Sequence, residues 1–165
     1  MASGSITVKS PTKTVATYIG WSSSSNGSAA NTSKVTATVY FRKTNGYTTR
    51  GTFAGNLKID GTSYSISRYG TWAGSYIAIG SKSKTVTHNS DGKKSITIST
   101  TYSNSGTDQA GTYTGSGTAV LDTIPRASSV SSSASWTAGN ALTVSISRNA
   151  SSFTHTVTVL SLIHI

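Results

Sequence analysis

Lys34-Val35-Thr36-Ala37-Thr38-Val39-Tyr40-Phe41-Arg42 carries an apolar side chain at every second position, with Val35, Ala37, Val39 and Phe41 set between polar or amphipathic neighbours. A two-residue period of this kind belongs to a strand with one core face and one wet face. Lys43-Thr44-Asn45-Gly46 follows, and its Asn-Gly pair tolerates the positive φ angles of a tight turn, so a meander is expected to begin here. The same logic recurs downstream. Leu57 and Ile59 precede an Asp60-Gly61 turn with Tyr64 and Ile66 after it, predicting a second hairpin. Lys84 to His88, the turn Asn89-Ser90-Asp91-Gly92, and Ser95 to Ser99 predict a third. Further strands are expected at Ile6–Lys9, Val15–Trp21, Tyr76–Ile79 and Gly117–Leu121. No window has a helical period, and frequent Gly and β-branched residues oppose one.

Pro125 is the only mid-chain proline and sits in Thr123-Ile124-Pro125-Arg126-Ala127-Ser128-Ser129. Proline lacks the donor that a central strand needs and biases the preceding residue towards extended geometry, so this stretch reads as a joint between two β modules. The expected organisation is an all-β chain. Residues 1–123 form an antiparallel, jelly-roll-like β-sandwich, residues 124–129 a linker, and residues 130–165 the opening strands of an incomplete immunoglobulin-like or fibronectin-like module. Leu142–Ile146 and Thr154–Val159 supply those strands, and Trp136 is expected in their core. The last six residues, Leu160-Ser161-Leu162-Ile163-His164-Ile165, break the Ser/Thr alternation. The codons CTG-TCT-CTT-ATA-CAC-ATC spell this hexapeptide and resemble a sequencing-adapter end, so residues 160–165 are expected to be an artefact and the natural protein to continue past about Val159; a genuine apolar final strand is the alternative.

The wording of the joint, together with Val86-Thr87-His88-Asn89-Ser90-Asp91-Gly92-Lys93-Lys94, Trp21 to Asn26, Asn31-Thr32-Ser33, Ile59 to Tyr64 and Ser152 to Thr156, resembles a siphophage family of minor structural proteins whose function is uncharacterised. The resemblance covers nearly the whole chain. It implies a component of the virion tail or of host adhesion, assembled in the bacterial cytoplasm and released by lysis. Its implied partners are other tail proteins and a bacterial cell-wall polysaccharide or anionic polymer. It carries no catalytic residues over.

Composition narrows the chemistry. Charged residues are only 11% against 35% hydrophobic, and low charge with alternating Thr, Tyr, Val and Ile favours a folded β protein over disorder. Cysteine is absent, which removes disulfides and thiolate metal sites, and no apolar run suits a secretory signal or a membrane span. The formal net charge is +10, from 14 basic and 4 acidic residues. The basic residues are scattered, so they blunt sheet edges or attract a polyanion at long range without defining a groove. Nucleic acid is the competing polyanion, but no recognition helix, zinc spacing or ribonucleoprotein motif accompanies the charge.

An enzyme is not expected. The carboxylates are Asp60, Asp91, Asp108 and Asp122, without a glutamate, and two of the four lie in Asp-Gly turns where aspartate serves the local backbone. His88, His155 and His164 are too few for a metal site, and His88 before a turn suggests a structural hydrogen bond. No nucleophile elbow or phosphate loop is present. No cofactor is therefore expected. Aromatic side chains remain, since rings stack on the apolar faces of sugars while hydroxyls and amides satisfy the sugar hydroxyls. Tyr47, Tyr69, Trp72 and Tyr76 lie in or beside expected loops and are the candidate ligand-binding residues; the competing role for Trp72 is a core anchor, and for Tyr69 and Tyr76 cross-strand pairing. Trp21 alternates with Ile19 and is expected in the core. The function predicted is non-enzymatic attachment to a host-surface glycan, with a purely architectural tail or baseplate subunit as the second reading and nucleic-acid binding as the third.

Overall fold

A computed structural model describes residues 1–11, 15–44, 48–72, 74–105, 110–126, 128–132 and 143–147, the side chains of Thr49 and Trp72 excepted. The described residues form an antiparallel β-sandwich followed by a small two-stranded sheet. One sheet contains β1 (Ser3–Thr7), β2 (Val15–Ser25), β3 (Thr32–Lys43) and β6 (Ile77–Thr87), in the order β1-β2-β3-β6. The other contains β4 (Thr49–Ile59), β5 (Thr62–Trp72), β7 (Ser95–Asn104) and β8 (Gly111–Val120), in the order β5-β4-β7-β8. Beyond Pro125, β9 (Ser129–Ser132) pairs with β10 (Val144–Ser147). The expected strand at Thr154–Val159, the core role of Trp136 and the tail at 160–165 lie outside the described residues.

The alternation read in Lys34–Arg42 holds: Val35, Ala37, Val39 and Phe41 are fully buried, with partly or fully exposed residues between them. They meet Phe53, Leu57, Ile59, Ile98, Tyr102 and Tyr113 from the facing sheet. The centre is aromatic. Phe41 lies 4.4 Å from Phe53 between ring centroids, and Tyr102 stacks on Tyr113 at 4.8 Å with planes only 3° apart. Two buried phenols need partners, because an unpaired buried hydroxyl is costly. The Thr17 hydroxyl donates to the Tyr40 carbonyl at 2.7 Å, so its oxygen accepts from the Tyr102 hydroxyl at 2.6 Å. One polar chain therefore ties β7 to β2 and β3 across the sandwich.

The two long seams close by close approach. At one side Ile6 and Val8 lie against β8, where a Cβ on Gly115 would fall 2.7 Å from the Val8 side chain and 2.9 Å from the Thr7 carbonyl. At the other, a Cβ on Gly80 would fall 2.6 Å from the Ile66 side chain. Arg68 spans this second seam to the Ala78 carbonyl at 2.6 Å, and Lys84 to the Asp60 carbonyl at 2.6 Å.

Two expected hairpins are crossovers. Asp60 and Gly61 take φ angles of 48° and 79° and join β4 to its neighbour β5, as the Asp-Gly pair predicts. The turn at Asn89–Gly92 instead links β6 to β7, which lie in different sheets, and β3 and β4 on either side of Asn45-Gly46 also lie in different sheets. No meander begins at β3. Turn chemistry specifies a reversal of direction, whereas pairing within a sheet depends on the long-range match of strands. Here β3 takes β6 and β4 takes β7, a double crossing that interlocks the two sheets. His88 is buried beside the second crossover, with Nδ1 2.7 Å from the Gly92 carbonyl and Nε2 2.8 Å from the Ser33 hydroxyl. A carbonyl only accepts, so Nδ1 carries the proton there, and the histidine is the structural hydrogen-bonding group that its position suggests.

Gly115→Ala is expected to cost about 1–3 kcal/mol, because the new methyl meets backbone as well as side chain; urea unfolding measures it. Burial raises the Tyr102 hydroxyl well above the ordinary phenol range, and raises Tyr113 to about 12 despite an opposing hydrogen bond with Ser10. The native state thus retains protons that an unfolded chain releases near pH 10, so stability is full below about pH 10 and falls as pH climbs through about 12. Thermal melting across that range should show the decline, and Tyr113→Phe should flatten it.

Candidate functional site

The outward register of the first sheet is rich in hydroxyls. Ser22, Thr36 and Ser83 lie in register across β2, β3 and β6, as do Gly20, Thr38 and Ser81. Thr36 bonds Ser83 and Thr38 bonds Ser81, each at 2.8 Å. One step further along the same face the pattern changes. Tyr18 of β2 is paired with Tyr40 of β3, and the rings stack at 4.9 Å with 21° between planes. Their neighbours Thr17, Ile19, Val39 and Phe41 are all buried, so both tyrosines face outward.

Tyr76 joins them through a β-bulge. Ser81 and Ser83 face outward, and simple alternation would send residue 76 inward. Val39 pairs with Gly80 while Tyr40 pairs with Ala78, so Ile79 is extra and the register shifts. Ile79 is buried and Ile77 packs on the core, which turns Ala78 and Tyr76 to the outer face. The Tyr76 ring stands edge-on to Tyr18 at 5.1 Å and 80°, and the Arg42 guanidinium lies 4.7 Å above its centroid. Tyr40, Tyr18, Tyr76 and Arg42 thus form one continuous platform.

Beside the platform is an open hollow of about 310 Å³, lined by Gly4, Tyr18, Gly20, Trp21, Ser22, Thr36, Thr38 and Tyr40. Gly20 shapes it. A Cβ there would fall 3.1 Å from the Tyr40 ring and 3.5 Å from the Tyr18 ring, so glycine is what lets both rings lean over the floor. The result is aromatic faces bordering a field of hydroxyls, an apolar surface for stacking beside polar groups for hydrogen bonding. A larger hollow of about 510 Å³, lined by Thr7, Lys9, Ser99, Thr100, Thr101, Thr114, Gly115 and Ser116, has no aromatic ring and so offers nothing to stack on.

Of the candidates read from the sequence, only Tyr76 belongs to the platform. Tyr69 is 63% exposed but lies on the outer face of the other sheet, paired with Thr52, and its hydroxyl accepts from Arg50 Nη2 at 2.7 Å and Nε at 3.0 Å. Tyr47 and the Trp72 side chain lie outside the described residues. Trp21 is half-buried and packs against the core, and a Cβ on Gly4 would fall 2.9 Å from its ring nitrogen. Tyr18, Tyr40, Arg42 and Gly20 lie on strands β2 and β3, outside the loops where the sequence places its aromatic candidates. Their signal is that Tyr18 and Tyr40 occupy polar positions of strands whose other register is apolar. Among the described residues no cluster of His, Asp or Glu could hold a metal ion.

Burial raises the Tyr18 hydroxyl above the ordinary phenol value, and the neighbouring Tyr40 and Tyr76 phenols add to it. Tyr40→Phe and Tyr76→Phe are each expected to lower the Tyr18 titration midpoint partway, leaving the burial contribution in place. Ring-selective NMR titration measures this.

No curated protein and no solved structure matches the chain. The family described as siphovirus protein of unknown function (DUF859) matches residues 21–160, so the match runs from within β2 to beyond β10 and covers both sides of the Pro125 joint, and the chain belongs to that family.

Proposed function

We propose that this siphovirus protein is a non-enzymatic component of the virion tail that helps attach the particle to a host surface by binding a cell-wall polysaccharide. The observation that carries the reading is the outward Tyr18–Tyr40–Tyr76 stack bordering a glycine-floored, hydroxyl-lined hollow. Elsewhere on this outer face the cross-strand neighbours are small hydroxyl pairs. Three rings joined in a row through Tyr18 on such a face form a surface suited to a flat apolar partner, and adjacent hydroxyls suit that partner only if it is also polar. A saccharide has both properties. An open, shallow hollow fits a chain laid along the sheet. The thin supply of carboxylates, with Asp60 held by Lys84 and Asp122 by the N-terminal ammonium, supports binding without catalysis.

An architectural role is the second reading, supported by the way the joint is fastened. Leu121 N–H bonds the Lys94 carbonyl at 3.0 Å, Ile124 N–H bonds the Gly92 carbonyl at 2.9 Å, and Arg126 reaches the Ser28 carbonyl at 2.6 Å. Ile124 is itself buried. A segment held this firmly suits a subunit that transmits force or sets spacing.

Binding of the whole chain to purified bacterial cell walls and to a saccharide array separates the readings. Tyr18→Ala and Tyr40→Ala are each expected to weaken binding roughly tenfold, the size of one lost aromatic contact, with the fold intact by circular dichroism. Tyr69→Ala, on the opposite face, should leave binding unchanged. A folded protein that binds no wall or saccharide supports the architectural role instead.

A further inference from the structure

We propose that the saccharide received by this face is acidic, and that Arg42 receives its negative group, a carboxylate or a phosphate. This inference rests on the saccharide-binding reading. Arg42 follows Tyr40 by two residues on the same face of β3, so the two are separated by about 6.6 Å along the strand. That is within the span of one sugar unit and the next, and a chain stacked on Tyr40 and Tyr18 reaches Arg42 with its neighbouring unit.

The guanidinium is prepared for an anion in three respects. Its position is fixed by stacking 4.7 Å above the Tyr76 ring. Its hydration is reduced: Nε is buried and has no hydrogen-bond partner among the described residues. A cation dehydrated on its Nε side gains more from a charged acceptor at its terminal nitrogens than from water, and it is those nitrogens that an outside ligand meets. Finally, no carboxylate of the described protein answers its charge. Asp60 pairs with Lys84 at 3.4 Å, Asp122 with the N-terminal ammonium at 2.6 Å, and Asp91 accepts the Lys93 N–H at 2.9 Å. The planar fork of arginine matches the paired oxygens of carboxylate and phosphate alike. The net charge of +10 favours approach of such a ligand from a distance.

Duplex nucleic acid shares the negative charge but is a poorer fit. A duplex presents its phosphates outward and its bases stacked inside, so the tyrosine rings beside Arg42 would have no apolar face to cover.

The test is an array of neutral, uronate-bearing and phosphate-bearing saccharides probed with the whole chain at about 150 mM salt, where distant charges are screened. The tightest ligands are expected to be acidic. Methyl-esterifying a uronate ligand, or dephosphorylating a phosphate ligand, should weaken it at least roughly tenfold, and the arm that responds identifies the group. Arg42→Gln should abolish the difference between acidic and neutral forms, and Arg42→Lys should restore part of it. Lys58→Gln, an exposed charge on the other sheet, should change affinity less than about twofold. Equal binding of neutral and acidic forms, insensitive to Arg42→Gln, overturns the proposal; if Tyr40→Ala still weakens that binding, the saccharide reading itself stands. Loss of sensitivity to Tyr40→Ala as well overturns both. DNA, duplex or single-stranded, that outcompetes the acidic saccharides at equal charge also overturns the proposal.

Discussion

Phe41 is packed 4.4 Å from Phe53 in the centre of the sandwich, and the two-residue period of a strand then fixes Tyr40 and Arg42 on the opposite side. Most of the candidate surface follows from this contact. A shift of β3 by one residue would expose Val35, Val39 and Phe41 and bury the tyrosine and the arginine, at a cost of several large apolar side chains. The core therefore sets the geometry of the platform. The hydrogen-bonded chain from Tyr102 through Thr17 to the Tyr40 carbonyl adds a second anchor, tying the platform's backbone to the far sheet. A face supported this way is pre-organised, so the proposed binding would cost little conformational freedom.

The interlocked crossing of β3-β6 with β4-β7 has a second consequence for the site. It brings β6 beside β3, and the bulge at Ile79 then reverses the facing of everything before it. Without that reversal Tyr76 would face the core and Arg42 would lack the ring on which it stacks. The same strand meets β5 through Gly80 and Ile66, so its position is fixed from both sides. The fold's close packing and its outer chemistry are thus parts of one arrangement.

The strands were legible in the sequence because alternation is a local signal: Val35 to Phe41 and Leu57 to Ile66 stand in the structure with the facing their pattern demands. Sheet membership was not legible. Asn89–Gly92 has the residues of a hairpin turn yet joins two sheets, because which strands pair depends on contacts distant in the chain. The platform was missed for a related reason. Tyr69 and Tyr76 carry the loop-aromatic signal, yet the fold sends them to different sheets, whereas Tyr18 and Tyr40 lie mid-strand and are brought together by pairing. The bulge did leave a trace. Apolar Ile77 and Ile79 are odd-numbered whereas Val86 is even-numbered, and all three can face the core only if the alternation slips between them.

The central claim is that the outer face of the first sheet, around Tyr18 and Tyr40, is where this protein meets its ligand. The most direct measurement is an amide-resolved NMR titration of the whole chain with a saccharide that it binds. The largest shifts are expected on Gly20, Thr36, Thr38, Tyr40 and Arg42, with the outer face of the β5-β4-β7-β8 sheet unmoved. Shifts concentrated instead around Ser99, Thr101, Thr114 and Ser116, or around Tyr69, would contradict the claim.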